Sequence, residues 1–149
     1  MKLPKLNLPD CELTIENKSG KLVVFDTIRK KKIILTPEEW VRQHVIHFLI
    51  NQHNYSPNYL KVEKQIKVNE RLKRFDILTY NKSAKPYLLV ECKAPEVKIT
   101  QATFSQIATY NMALRVPYLL VTNGLSHFIC EIDFENNSFT YLKDLPKFQ

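Results

Sequence analysis

Apolar residues along this chain switch repeatedly between a period of two and a period near 3.6, as expected when strands alternate with helices. Lys21–Asp26 and Lys32–Leu35 read as short strands around a cationic turn, Arg29 to Lys32. Thr36-Pro37 then opens a helix: threonine caps well, and proline suits the first helical position. Trp40, Val41, Val45, Phe48 and Leu49 recur at helical spacing and carry it to about Gln52. Three strands follow a loop around Pro57: Val62–Val68, Arg74–Tyr80 and Tyr87–Cys92. The polar linker Asn69–Lys73 makes the first two an antiparallel pair. Thr100–Leu114 is a second helix with Phe104, Ile107, Ala108 and Leu114 as its core stripe. Either Thr100 caps it, or Thr103 and Gln106 form a capping box. Pro117–Thr122 is a buried strand, Asn123-Gly124 a turn, and Ser126–Ile132 with Ser138–Leu142 a closing hairpin. Residues 1–20, punctuated by proline, read as an extended arm. The order α-β-β-β-α-β predicts one α/β domain over residues 1–149, with its core at about 35–130. A mixed four-stranded sheet is flanked by helices, with extra N- and C-terminal hairpins. The last crossover joins strands able to pair in parallel.

Composition narrows the chemistry. Only Gly20 and Gly124 occur, which excludes a Gly-rich phosphate loop and a dinucleotide fingerprint. Any phosphate must be gripped by cations, a metal or helix ends. The formal net charge of +7, from 22 Lys+Arg against 15 Asp+Glu, suits a polyanionic partner. Three cysteines without a CxxC pair give no disulfide framework and fit a reducing cytoplasm. The start of the chain lacks the apolar core of a secretory signal, and no apolar run approaches the roughly 20 residues of a membrane span.

The chemistry concentrates where apolar strands meet charge. In Pro86-Tyr-Leu-Leu-Val-Glu-Cys-Lys-Ala-Pro95, Glu91 and Lys93 stand two apart, so they share a strand face. Arg74-Phe-Asp-Ile-Leu-Thr-Tyr80 sets Asp76 in the preceding strand. Charges embedded in core strands need compensating partners. An Asp, a Glu and a Lys on adjacent strands suit phosphodiester hydrolysis supported by Mg²⁺, which favours carboxylate and water oxygens. Asp76 and Glu91 would each donate an oxygen, and the carbonyl of Cys92 would be a third ligand. Lys93 would hold the attacking water and offset developing negative charge. A surface Asp and a strand Glu–Lys pair is the bland alternative.

Other residues are open to two readings. Glu38 shares the buried stripe of the first helix and Glu39 lies about 100° further round, so Glu38 is the candidate helix-borne acid. An i,i+4 pair with Arg42 serves Glu38 equally well. Gln106 and Tyr110 lie one turn apart on the second helix, where they either reach phosphate or decorate its surface. Arg74 and Lys73 face opposite sides of the strand and either can line a DNA groove; Arg74 shares the Asp76 face and is the better candidate. Glu63 reads as an ordinary surface charge, although it too can face the site. The Arg29–Lys32 turn reads as a solvated hairpin tip in preference to a phosphate contact. His44, His47 and His53 lack zinc-ligand company and read as structural.

Taken together, Phe75-Asp76, Glu91-Cys-Lys93 and Gln106-Ile-Ala-Thr-Tyr110 resemble the PD-(D/E)XK nuclease signature with its QxxxY extension. More closely, Thr36-Pro-Glu-Glu-Trp-Val-Arg-Gln43, Glu91-Cys-Lys-Ala-Pro95 and Tyr118-Leu-Leu-Val-Thr-Asn-Gly124 are similar to the N-terminal nuclease domain of type I restriction enzyme R subunits. Phe75 replaces the proline of the motif. The resemblance implies a restriction-endonuclease-like core and a Mg²⁺-dependent (or Mn²⁺-dependent) deoxyribonuclease, an endonuclease in preference to an exonuclease. Asp76 and Glu91 would hold the metal, Lys93 would be catalytic, and Glu38 would be the helix-borne acid. Gln106 and Tyr110 would position DNA. It further implies partners: DNA, a second copy of the chain, and separate motor or specificity subunits. The chain itself contains no Walker motif. The competing class is a non-cleaving nucleic-acid-binding or protein-interaction module that keeps the fold.

Overall fold

The computed structural model describes residues 3–149. Strands β1 (Ile15–Lys18), β2 (Lys21–Asp26) and β3 (Lys31–Ile34) precede helix α1 (Pro37–Asn51). Strands β4 (Leu60–Val68), β5 (Arg71–Tyr80) and β6 (Pro86–Cys92) follow, then helix α2 (Gln101–Leu114). Strands β7 (Tyr118–Thr122), β8 (His127–Asp133) and β9 (Ser138–Leu142) close the fold. Both helices start at threonine caps. Thr36 Oγ1 accepts the Glu39 N–H at 3.0 Å, and Thr100 Oγ1 accepts the Thr103 N–H at 3.1 Å. The capping box at Thr103 and Gln106 is therefore not the one used.

The predicted α-β-β-β-α-β run is present as α1-β4-β5-β6-α2-β7, and β6 pairs with β7 in parallel. The size of the sheet is a correction. It has six strands in the order β4-β5-β6-β7-β8-β9, not four. The closing hairpin is no appendage, because β8 pairs along β7 and satisfies an edge that would otherwise expose unpaired N–H and C=O groups. At the other end, the expected hairpin is a three-stranded antiparallel sheet, β1-β2-β3. Ile15–Lys18, inside the expected arm, folds back on β2 through Ser19-Gly20, where both residues have positive φ (52° and 87°). That geometry is the tight hairpin turn whose twist matches the strands.

Strand alternation splits the core into two layers, one on each face of the large sheet. Leu88, Val90, Cys92 and Leu120 face α1, where Val41, Val45, Ile46 and Leu49 meet them. Leu89, Leu119, Val121 and Cys130 face α2 and pack on Phe104 and Ala108. Helix α1 is also covered from outside by the small sheet: Gln43 Nε2 donates to Asp26 Oδ2 at 2.9 Å. Glu39, Arg42, Gln43 and His44 are accordingly buried beside the apolar stripe. No helix among the described residues is long and apolar enough to cross a membrane.

The segment before β1 is pinned at the turn after β7. The Asn7 N–H donates to the Gly124 carbonyl at 2.7 Å, and Trp40 Nε1 donates to the Pro4 carbonyl at 2.8 Å. Gly124 has φ +85°, and a Cβ there would come within 2.7 Å of buried Leu6. Gly124→Ala is therefore expected to destabilise the protein by more than about 1 kcal/mol. A denaturant midpoint equal to that of the wild type would refute this.

Candidate active site

The large sheet comes apart between β5 and β6, and the charged residues gather at that split. The antiparallel register runs Leu78↔Leu89 and Ile77↔Val90, then stops. One step further, Asp76 would face Glu91. Instead of continuing the ladder, Asp76 Oδ2 accepts the backbone N–H of Cys92 at 2.7 Å. The N–H and C=O of a strand residue point to the same side, so the Cys92 carbonyl also faces this gap. The backbone of Lys93 is held on the far side, its N–H bound to the Thr122 carbonyl at 2.8 Å.

Strict alternation also fails here. Phe75 and Leu78 belong to the α2 layer, Ile77 belongs to the α1 layer, and Asp76 reaches α1 through Arg42. Opposite Asp76 on β4, the pair Glu63–Asp76 is skipped in an otherwise continuous register, and Glu63 has φ 55°. A non-glycine residue at positive φ within a strand is strained, and such strain concentrates at functional sites.

Arg42 is the hub of the cluster. Its Nη2 lies 2.7 Å from Asp76 Oδ1, 2.6 Å from Glu63 Oε1 and 3.1 Å from Glu38 Oε1, while Nη1 donates to Glu39. Burial alone would lower the pKa of Arg42. The carboxylates of Asp76, Glu39 and Glu63 outweigh that and raise it. Glu39 continues the chain outward, taking Arg29 Nη2 at 2.8 Å and Gln43 Nε2 at 3.0 Å. The two helix glutamates occupy different positions. Glu39 is the buried one, turned toward the small sheet, whereas half-exposed Glu38 senses Asp76, Lys93 and Glu63. The Glu38 carboxyl is raised by burial and by the charge of Asp76, against the opposing pull of Arg42 and Lys93.

Glu91 is the most perturbed carboxyl of the cluster. Burial, followed by the adjacent Asp76 carboxylate, pushes it well above the usual range; Lys73 and Lys93 pull the other way. Two carboxyls pressed together in a desolvated gap favour either a shared proton or a cation between them. The Cys92 thiol is buried in the α1 layer and raised, first by burial and then by the charge of Asp76.

Asp76, Glu91, Lys93 and Glu38 thus stand in one cluster. Arg74 lies at its edge, 3.3 Å from Glu63, and not directly on Asp76. Tyr110 is reached through Lys73, whose Nζ stands 3.8 Å from the ring centroid. Gln106 is exposed one turn earlier on α2, and among the described residues no hydrogen bond ties it to the cluster. Sequence reasoning missed Arg42 as the hub, Lys73 as a neighbour of Glu91, and the engagement of Glu63. The signal available for Arg42 was its place three and four residues after two glutamates; for Glu63 and Lys73 it was strand position alone, which lets Glu63 face the site and either Lys73 or Arg74 line a groove. The histidines lie elsewhere: His44 Nδ1 bonds the Trp40 carbonyl at 2.8 Å, and His53 packs edge-on against Phe48.

A divalent cation fits the donor set. An ionised carboxylate has about four lone-pair sites. The oxygens of Asp76 therefore keep acceptor capacity beyond their bonds to Arg42 and Cys92. Among the described residues no three His, Cys, Asp or Glu side chains gather as a cage. An ion here would complete its shell with the Cys92 carbonyl and water, as Mg²⁺ commonly does.

The layered α/β architecture has a counterpart among solved structures. A fragment assigned as the HsdR subunit of a type I restriction enzyme from Vibrio vulnificus YJ016 superposes with a TM-score of 0.53 at 20% identity. The match covers 76% of this chain and 24% of that one, so this chain spans about a quarter of its length. The chain belongs to the family of type I restriction enzyme R protein N termini (HSDR_N), whose model matches residues 37–146. Curated proteins yield no match to the chain.

Proposed function

We propose that this chain is a metal-dependent DNA nuclease domain of the PD-(D/E)XK kind. The observation that carries the reading is the Asp76–Glu91 pair at the parting of β5 and β6, with Lys93 beside it. Asp76, Glu91 and the Cys92 carbonyl are the ligands of a Mg²⁺ or Mn²⁺ ion, and Glu38 is the helix-borne acid. When bound, the ion supplies Lewis-acid neutralisation of the phosphoryl group and a more acidic water. Lys93 orients the attacking water and offsets charge on the phosphoryl oxygen. Its two carboxylate neighbours favour this electrostatic role over that of a general base. Lys73, stacked on Tyr110, extends positive charge along one side of the site, with Gln106 further along α2. Arg74 does so on the other. Membership of the R-protein family supports DNA as substrate and other restriction subunits, including an ATP-driven motor, as partners. A second copy of the chain would bring a second site for the opposite strand.

The test is incubation of the protein with supercoiled, linear and single-stranded DNA plus Mg²⁺ or Mn²⁺. The variant lacking Asp76, Glu91 and Lys93 runs alongside. Metal-dependent nicking that disappears in the variant is the expected result. Equal cleavage by both proteins would overturn the assignment. DNA binding without nicking at any metal concentration would favour the non-cleaving module.

A pH dependence follows from Glu91. Its raised carboxyl holds a proton where ordinary carboxylates have lost theirs, and that proton must leave for the oxygen to bind a cation. Mg²⁺ affinity is expected to rise with pH until Glu91 is ionised and then level off, with proton release on binding below that point. Calorimetry in buffers of different ionisation enthalpy measures this release. A buffer-independent heat and a flat pH profile would contradict it.

A further inference from the structure

The cationic turn Arg29-Lys-Lys-Lys32 takes no part in the chemistry above. It precedes residue 37, where the family match begins. It is not a free tip. Asp26 is fully buried and accepts the N–H groups of Ile28 and Arg29 at 2.8 and 2.7 Å. Arg29 folds inward, with Nε 2.8 Å from Asp26 and Nη2 2.8 Å from Glu39. Because Glu39 sits on α1, this clamp fixes the turn between β2 and β3 relative to the active site.

With Arg29 anchored, Lys31 is left exposed at the start of β3. A cleft runs between this turn and the large sheet, lined by Arg29, Lys31, Val62, Glu63 and Arg74. The side chain of Arg74 is 60% exposed, so its charge is available to a ligand. Lys31 and Arg74 thus face one carboxylate, that of the strained Glu63, while the charge of Arg29 is taken up by Asp26 and Glu39. The oxygens of Glu63 lie 2.6 Å from Arg42 and 3.3 Å from Arg74. Arg42 in turn holds Asp76. The cleft therefore opens to solvent beside Glu63, whose partner Arg42 also holds the proposed metal ligand Asp76.

We propose that this cleft binds the phosphodiester backbone of DNA beside the cleaved position, with the small N-terminal sheet as its outer wall. A phosphodiester backbone suits an open, cation-lined cleft, and the clamp on Arg29 preorganises its wall before DNA arrives. The proposal rests on the nuclease reading for the identity of its ligand.

The test measures binding of a short DNA duplex in EDTA over a range of salt, by fluorescence anisotropy, with folding checked by circular dichroism. Each phosphate contact contributes about one to the slope of log K against log salt. Lys31→Ala and Arg74→Ala are each expected to weaken binding and to lower that slope by about one, and the double variant by about two. Glu63→Gln removes the negative charge on the floor and is expected to tighten binding. Lys85→Ala, in the turn at the other end of β5 and β6, is the control and should match the wild type. If the wild type binds or cuts DNA and the cleft variants keep its slope, the cleft proposal is wrong while the nuclease reading stands. A wild type that neither binds nor cuts DNA overturns both.

Discussion

Lys93→Ala is expected to lower metal-dependent DNA cleavage at least about a hundredfold, equivalent to about 2.7 kcal/mol of transition-state stabilisation. The fold should survive, because Lys93 lies just past the end of β6 and is held through its backbone N–H rather than its side chain. Asp76→Ala and Glu91→Ala are expected to cost as much or more, since each removes one of the two carboxylates proposed to hold the ion. The three losses should not add. Groups that act as a unit on one reacting centre give variants of similar residual activity, and the triple variant should resemble the worst single one. Glu91→Ala separates structure from function best. It relieves the crowding of two carboxyls in a desolvated gap, so it should lose cleavage without losing stability. Supercoiled-plasmid nicking read beside a denaturant melt checks all four proteins. A Lys93→Ala protein within a fewfold of wild-type activity would remove lysine from the proposed mechanism.

Arg42→Met carries the other large expected effect, this time on stability. The guanidinium is 6% exposed and touches four carboxylates, among them Glu39 at 4% and Asp76 at 11%. Removing one side of a buried ionic network leaves uncompensated charge, which costs about 3–5 kcal/mol. Arg29 and Gln43 still serve Glu39, so the lower half of that range is expected. The denaturant midpoint should fall with an unchanged slope. Mg²⁺ should restore more stability to the variant than to the wild type, because a divalent ion neutralises the same carboxylates. Arg42→Lys keeps the charge but not the fork of donors, and should fall between the two. An Arg42→Met protein as stable as the wild type would mean that the contacts around Nη2 are of little energetic consequence.

How much of this was legible beforehand varies residue by residue. Pro37, Trp40, Val41, Val45 and Leu49 announced α1 because helix periodicity and capping are local. For the same reason Thr100 to Leu114 announced α2. Strand ends erred by a few residues, as at β5, which begins at Arg71 and not Arg74. The larger misjudgement concerned the edges of the sheets. Whether Ser138–Leu142 closes a separate hairpin or extends the main sheet depends on β8 pairing with β7, and alternation within a strand says nothing about its neighbour. The small sheet was similarly hidden, since Ile15–Lys18 is a weak strand on its own and exists through its pairing with β2.

The sequence by itself determined the local elements, the order in which they follow one another, and the residue types that can perform phosphodiester chemistry. Asp76, Glu91 and Lys93 were visible because charge inside an apolar strand run is a local anomaly. Tertiary structure decided what those charges face. The split between β5 and β6 turns Asp76 onto the Cys92 amide and brings it against Glu91. Arg42, 34 positions before Asp76, is drawn to it only because α1 lies across the sheet. The same packing turned Glu39 inward and left Glu38 with the cluster. It also brought Lys73, second to Arg74 as a groove residue, near enough to Glu91 to oppose the upward shift of its carboxyl. The physical reason is one of range: periodicity and capping act over a few residues, whereas desolvation and ion pairing depend on which distant segments fold against each other.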